Sequence, residues 1–169
     1  EKFDEEQQET FLLCSIKALS TCSDLEQRRA AVLLHQLMGR EVISKEVLSH
    51  VVERILNDYA KMRKNNKNMV VVFRNLYFLL VTDGILSIAT IIESWKAKDH
   101  YDGVLAELVF DLLNTWKNIN KEAAVKSLED LKLTVEQVFV GGCPIMVADR
   151  LLMKHGLVLK DGYIHFACY

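Results

Sequence analysis

The best candidate for contact with another molecule is a basic group, formed by Lys61, Arg63, Lys64 and Lys67 with Asn65-Asn66 among them. Lysine and arginine side chains neutralise phosphates, and binding of that kind weakens as salt rises. The same residues also suit the C-terminal end of a helix, where cations interact favourably with the helix dipole. Two interpretations therefore remain open, an RNA contact and a solvated helix end.

Metal chemistry has only one candidate pair, His50 and Glu53, which lie three positions apart. Metal-binding helical bundles use this spacing, but they place the carboxylate before the histidine and repeat the motif. Here the order is reversed and the motif occurs once. We therefore interpret the pair as the exposed polar edge of an amphipathic helix, and we expect no metal and no cofactor.

Nucleophilic catalysis also has one candidate, Cys143, which precedes Pro144 at the predicted start of a helix. A helix N-terminus lowers a thiol pKa, but only His155 or His165 could supply a base, and only by approaching in space. The chain contains no Gly-x-Ser-x-Gly, His-Glu-x-x-His, P-loop or Gly-x-Gly-x-x-Gly motif. We expect no catalytic residue and predict that the protein is not an enzyme.

Three aromatic side chains, Trp95, Tyr101 and Trp116, are spaced as residues at the centre or the rim of a hydrophobic core. Large aromatic residues also dominate the binding energy of many protein interfaces. We keep them as candidate anchors for a protein partner.

The elements that must position these residues are arranged around the most apolar run of the chain, 69–92. Only Arg74 and Asp83 are charged at neutral pH within it. A segment that is apolar nearly all round is typical of the interior of a domain, so we predict two buried helices that fold back on each other near Gly84. The alternative is a membrane span, but each charge near its centre would cost roughly 2.5–3.5 kcal/mol.

Capping and turn signals divide the rest of the chain into helices. Ser23 and Glu26 have the spacing of a capping box, and Ser44 and Asn120 suit the N-cap position of further helices. The single proline, Pro144, suits the first position of the last helix, which should end at Gly156. We predict about eight helices in antiparallel pairs, either a HEAT-like stack or a globular bundle.

The C-terminal residues differ from the rest. Asp161-Gly162 lies between two apolar, β-favouring arms, which is the strongest short signal for a hairpin. The fold class that we predict is therefore all-α with a small C-terminal β-hairpin.

Length and composition predict one domain over residues 1–169, since half of the residues are apolar and about a quarter are charged. The four cysteines form no Cys-x-x-Cys pair and no signal peptide is visible, which favours reduced thiols in a cytoplasmic or nuclear protein. The chain begins Glu1-Lys2 without methionine, so we expect a fragment of a longer protein.

The spacing of apolar residues from Asn68 through Leu76-Tyr77 to Ile92, followed by Leu108–Leu113, resembles one helical hairpin of the middle domain of translation initiation factor 4G. The resemblance covers about 50 of the 169 residues and implies a HEAT-like scaffold in RNA metabolism or translation that binds other proteins and sometimes RNA. This chain lacks the arginine-rich final helix common in that family. No site residue of the family falls on a matching position.

Three hypotheses about function follow from these observations. The first is a non-catalytic helical scaffold that binds a helix or linear segment of another protein. The second is an RNA-binding helical repeat that uses the basic group. The third is a small helical bundle that regulates membranes or cell death.

Overall fold

Helices dominate the computed structural model, which describes residues 3–66, 68–82, 84, 86–95 and 103–167. In order, the elements are α1 (Glu5–Leu19), α2 (Asp24–Gly39), α3 (Lys45–Asn65), α4 (Met69–Thr82), α5 (Ile88–Ser94), α6 (Val104–Ile119), α7 (Lys121–Leu131), α8 (Val135–Val138), α9 (Ile145–Lys154), β1 (Leu157–Lys160) and β2 (Tyr163–Phe166). The predicted fold class is confirmed. These residues form nine helices rather than eight because the four-residue α8 counts separately.

The chain folds as two compact units, Glu1–Trp95 and Lys96–Tyr169, called here the N-terminal unit and the C-terminal unit. The single domain over residues 1–169 that length and composition predict stays a prediction.

Helices of the N-terminal unit pack chiefly on alternate neighbours. The main contacts of α1 are with α3, and those of α2 are with α4. The apolar run 69–92 does form two helices separated near Gly84, and Phe73, Tyr77 and Ile91 are buried. However, the short α5 packs chiefly on α3, whereas the predicted arrangement placed the second helix of the run against the first, α4.

An aromatic cluster holds α3, α4 and the end of α5 together. The Tyr59 ring meets Phe73 edge-on at 4.7 Å and Trp95 edge-on at 6.1 Å, and Phe73 stacks on Tyr77 at 5.5 Å between ring centroids. The Tyr77 hydroxyl donates to the Val52 carbonyl at 3.3 Å, which satisfies the one polar atom of this buried ring. Burial, and secondarily Tyr59, raises the pKa of Tyr77 well above its ordinary value.

Buried polar side chains fix the register of these helices. Asn75 on α4 donates to the Asp24 carboxylate at 2.7 Å and to the Gln27 side chain at 3.3 Å. The Gln27 amide in turn donates to the backbone carbonyls of Leu19 and Cys22. The α1–α2 corner and α4 therefore share one hydrogen-bond network, in which every buried polar atom has a partner.

The capping residues predicted from the sequence are found at the starts of three helices. The Ser23 hydroxyl caps α2 and the Glu26 carboxylate accepts from the Ser23 backbone N–H, while Ser44 and Asn120 cap α3 and α7. Pro144 was misplaced by one position, because it is the N-cap of α9 and the helix begins at Ile145.

In the C-terminal unit, α6 is the most buried helix. Phe110 packs against Phe139 with ring centroids 6.2 Å apart, and the His155 ring lies 5.9 Å from Phe110. β1 and β2 pair antiparallel with Leu157 opposite Phe166 and Lys160 opposite Tyr163. Asp161 and Gly162 turn the chain with φ of 52° and 84°, the geometry of the predicted two-residue hairpin loop.

No helix within the described ranges has both the length and the apolar character needed to cross a bilayer.

Candidate functional site

An open apolar groove runs between α1 and α2 in the N-terminal unit. It has a volume of ≈ 250 Å³. Ser15 is its one polar lining residue; the others are Phe11, Leu12, Ile16, Leu19, Ala30, Ala31, Leu33, Leu34, Leu37 and Leu76. Phe11 and Leu33 border the groove with 47% and 53% of their surfaces exposed. The N-terminal unit therefore presents a concave, almost wholly apolar surface to solvent.

The groove lies between two helices, α1 and α2, that pack chiefly on different helices of the N-terminal unit. α1 packs chiefly on α3 and α2 packs chiefly on α4, and the direct contact between α1 and α2 is small. Leu76 of α4 lines the groove between them.

Polar contacts hold both walls in place. The Ser44 backbone N–H donates to the Gln8 side chain of α1 at 2.9 Å, and Arg54 of α3 pairs with Glu9 of α1 at 2.6 Å. On the other wall, Arg74 of α4 lies 3.3 Å from Asp24 of α2. The groove is thus a preformed feature of packed helices.

The groove has a cationic edge on its α2 side. Helical spacing places Glu26, Arg29 and Leu33 along one stripe of α2, and Arg40, the C-cap residue, follows on the same side. Glu26 and both arginines are exposed, and the Glu26 carboxylate interacts with Arg29. On α1, the positions one turn before and two turns after Phe11 are Gln7 and Ala18, which carry no charge. The stripe that contains Leu33 therefore has two positive charges and one negative charge.

The basic group lies only partly within the described residues. Lys61 and Lys64 are exposed in the last turns of α3. The side chain of Arg63 and all of Lys67 fall outside them. The two described lysines are at the C-terminal end of a helix, and whether the group contacts RNA stays a prediction.

The aromatic candidates separate into different environments. Trp95 is only 9% exposed and packs on Tyr59, because the end of α5 lies against α3; its role as an anchor stays a prediction. Trp116 is half-buried on α6. Tyr101 lies outside the described residues.

The histidine and cysteine candidates have structural partners. His50 lies 3.8 Å from Glu9, whose carboxylate also binds Arg54. No cluster of metal-binding side chains occurs among the described residues. The half-buried Cys143 thiol donates to the Pro144 carbonyl at 3.2 Å, and the His155 ring lies against Asp111 and Phe110.

Phe11 and Leu33 were not identified as site residues from the sequence. The buried face of α2 consists of Gln27, Ala31, Leu34 and Met38, which leaves Leu33 at the border of the groove. A usable signal was present, because α2 carries apolar residues around more of its circumference than one packed face requires.

Comparisons of this chain with models of protein families, with curated proteins and with solved structures give no match. The resemblance to the initiation factor 4G middle domain therefore stays a prediction.

Proposed function

We propose that the protein is a non-catalytic helical scaffold, and that the groove between α1 and α2 binds an amphipathic helix of a partner protein with carboxylates beside its apolar face. The observation that carries this proposal is the open apolar groove with Phe11 and Leu33 about half exposed at its border. Contiguous exposed apolar surface on a folded unit commonly marks an interaction site.

The shape of the groove favours a helix as the occupant. A groove between two helices receives apolar side chains from one stripe of a third helix, spaced at i, i+3 or i+4, and i+7. A volume of ≈ 250 Å³ accommodates a few such side chains and no large ligand.

The charge of the border favours an acidic partner. Arg29 and the C-cap residue Arg40 lie on the side of α2 that contains Leu33 and outnumber the one carboxylate there, Glu26, so glutamate or aspartate beside the apolar stripe of the partner would meet a net positive charge. Such complementarity selects among partners and raises the association rate.

A pair of designed peptides tests the proposal without the natural partner. Both peptides are amphipathic helices with the same leucine stripe, one flanked by glutamate and the other by lysine. With the full chain, fluorescence anisotropy should show tighter binding of the glutamate peptide. Leu33→Asp should weaken that binding by about tenfold or more, as removal of a central interface residue does.

Val32→Asp provides the matched control. Val32 neighbours Leu33 and is 47% exposed, but it does not line the groove. Its substitution should leave peptide affinity unchanged, and circular dichroism should show that both variants stay helical. Equal losses in the two variants, or equal affinity for the two peptides, would contradict the proposal.

Self-association is a distinct outcome of the same variants. If the chain forms a dimer in sedimentation equilibrium and Leu33→Asp alone dissociates it, the groove is occupied by a second copy and the proposed acidic partner is wrong.

A role in translation or RNA metabolism rests on the family resemblance, and cytoplasmic or nuclear localisation stays a prediction.

A further inference from the structure

A second concave surface lies in the C-terminal unit, between the end of α6, α7 and the β-hairpin. It is larger, at ≈ 610 Å³, and its apolar wall includes Val125, Leu128, Val158 and Phe166. Three lysines border it: Lys117, Lys121 and Lys160. This surface, called here the lysine hollow, has the volume typical of small-ligand pockets, about 300–1,000 Å³.

The fold brings three lysines from separate elements to the border of one hollow. Lys117 is in the last turn of α6 and Lys121 is the first residue of α7, so the short connection at Asn120 keeps them close. Lys160 ends β1 beside the Asp161-Gly162 turn. The Lys117 ammonium lies 4.8 Å from the centre of the Phe166 ring, a cation–π contact.

The charge of the hollow is not neutralised within the described part of the chain. None of the three lysines has an ion pair with a carboxylate there, and Glu129 is the one acidic residue lining the hollow. The three ammonium groups and the one carboxylate that line the hollow leave an excess of two positive charges. A bound dianion would balance that excess.

We infer that the lysine hollow binds a small organic phosphate whose apolar body lies on Val125, Val158 and Phe166. A phosphate monoester carries a charge of about −1.5 to −2 near neutral pH, and lysine binds phosphate as a compact point charge. The apolar wall supplies contact area that inorganic phosphate cannot use. This inference is independent of the groove in the N-terminal unit.

Phenyl phosphate is the probe, with benzyl alcohol and inorganic phosphate as comparisons. Titration of the full chain by NMR should shift backbone resonances of 117–129 and 158–167, with phenyl phosphate binding more tightly than either comparison. Affinity should fall as salt is raised. Equal affinity for phenyl phosphate and benzyl alcohol, or for phenyl phosphate and inorganic phosphate, would overturn the inference, as would no binding at millimolar concentrations.

Matched lysine variants locate the site. Lys121→Gln should weaken phenyl phosphate binding by about 1.5- to 5-fold, the range expected for one exposed ion pair, and Lys117→Gln/Lys121→Gln should weaken it further. Lys126→Gln is the control, because Lys126 is exposed on the same helix and does not line the hollow. If the control weakens binding as much, the phosphate is bound by diffuse charge and the inference is wrong.

Vesicles with and without phosphatidic acid separate two sources of the phosphate. Co-sedimentation that needs the acidic lipid and is lost in Lys117→Gln/Lys121→Gln would support the site and assign it to a lipid headgroup. Phenyl phosphate binding without co-sedimentation would support the site and assign it to a free metabolite.

Discussion

Asn75 is the polar side chain on which the α2–α4 contact depends. It is buried on a helix that is otherwise almost wholly apolar, and its amide supplies donors to both Asp24 and Gln27. The hydrogen bond from Asn75 is the main reason why the pKa of Asp24 is lowered, with Arg28 and Arg74 adding to the effect.

Asn75→Ala should therefore destabilise the N-terminal unit by about 1–3 kcal/mol, since Gln27 would keep a buried acceptor without its donor. Urea unfolding followed by circular dichroism measures the change. Asn57→Ala is the control, because Asn57 is exposed on α3 and surface substitutions stay within about 0.5 kcal/mol. A loss in Asn75→Ala no larger than in the control would show that the network contributes no stability.

His155 is a buried titratable residue of the C-terminal unit. Its Nδ1 lies 3.3 Å from Asp111 Oδ1, and its Nε2 is buried with no hydrogen-bond partner among the described residues. Burial lowers the pKa of His155 below its ordinary value of 6.5, and the Asp111 carboxylate acts in the opposite direction.

The sign of the resulting pH dependence follows from proton linkage. At pH values between the lowered pKa of His155 in the folded state and 6.5, His155 binds a proton in the unfolded chain but not in the folded chain. The free energy of unfolding should therefore fall as pH decreases below 6.5 and level off below the folded-state pKa. His155→Leu should flatten this slope in urea titrations at several pH values, and His165→Gln should retain it. An unchanged slope in His155→Leu would assign the pH dependence to other groups.

At the level of elements, glycine is needed for the backbone conformation of the hairpin turn but not for that of the end of α2. Gly162 has a φ of 84°, whereas Gly39 is the last residue of α2 and a methyl group added there would meet no atom within 4 Å. Gly162→Ala should destabilise the C-terminal unit by about 1 kcal/mol or more, while Gly39→Ala should stabilise α2 by up to about 1 kcal/mol. Thermal unfolding of both variants gives the sign of each change in stability. Two stability changes of the same sign would contradict this expectation.

The end of α3 provides the test of RNA binding. If Lys61 and Lys64 neutralise phosphates, single-stranded RNA should bind with an affinity that falls steeply as salt rises, and Lys61→Glu/Lys64→Glu should flatten that dependence. Lys45→Glu is the control at the exposed N-terminal end of the same helix. Absent or salt-insensitive binding would reject the RNA hypothesis.

At the level of the whole molecule, the two tryptophans fall in different units. Trp116→Phe leaves Trp95 to report on the N-terminal unit, and Trp95→Phe leaves Trp116 to report on the C-terminal unit. Because each unit has its own core, we expect urea transitions with different midpoints in the two variants. Coincident transitions would favour the single domain predicted from the sequence.

Local chemistry explains which parts of the fold could be predicted. The Ser23–Glu26 capping box and the Asp161-Gly162 turn involve residues within a few positions of each other. The types of these neighbouring residues therefore determine the local backbone conformation. The inward face of α2 could not be read in this way. Apolar side chains surround much of that helix, and Ala31 rather than Leu33 is buried on it. The buried face of α2 depends on its packing against α4, which is distant in sequence.

Both candidate sites depend on contacts between distant parts of the chain. The groove at Leu33 forms because two neighbouring helices pack on different partners, and the lysine hollow collects Lys117 and Lys160 from elements about 40 positions apart. Helical periodicity shows which residues share one side of a helix, but it does not show which distant elements pack together. The basic group was predicted because its members are close in sequence.

Outside its own ladder, the β-hairpin has a backbone hydrogen bond to another element only on β2, among the described residues. The Ile164 N–H of β2 donates to the Leu133 carbonyl at 2.8 Å, whereas no backbone hydrogen bond in the described ranges reaches the outer side of β1. Leu159 on β1 is 45% exposed, and an open strand edge with apolar side chains can recruit strands from other molecules into aggregates. A strand of four residues that ends in the charged Lys160 is a poor template for such growth, so this lysine would also help to keep the protein dispersed at high concentration.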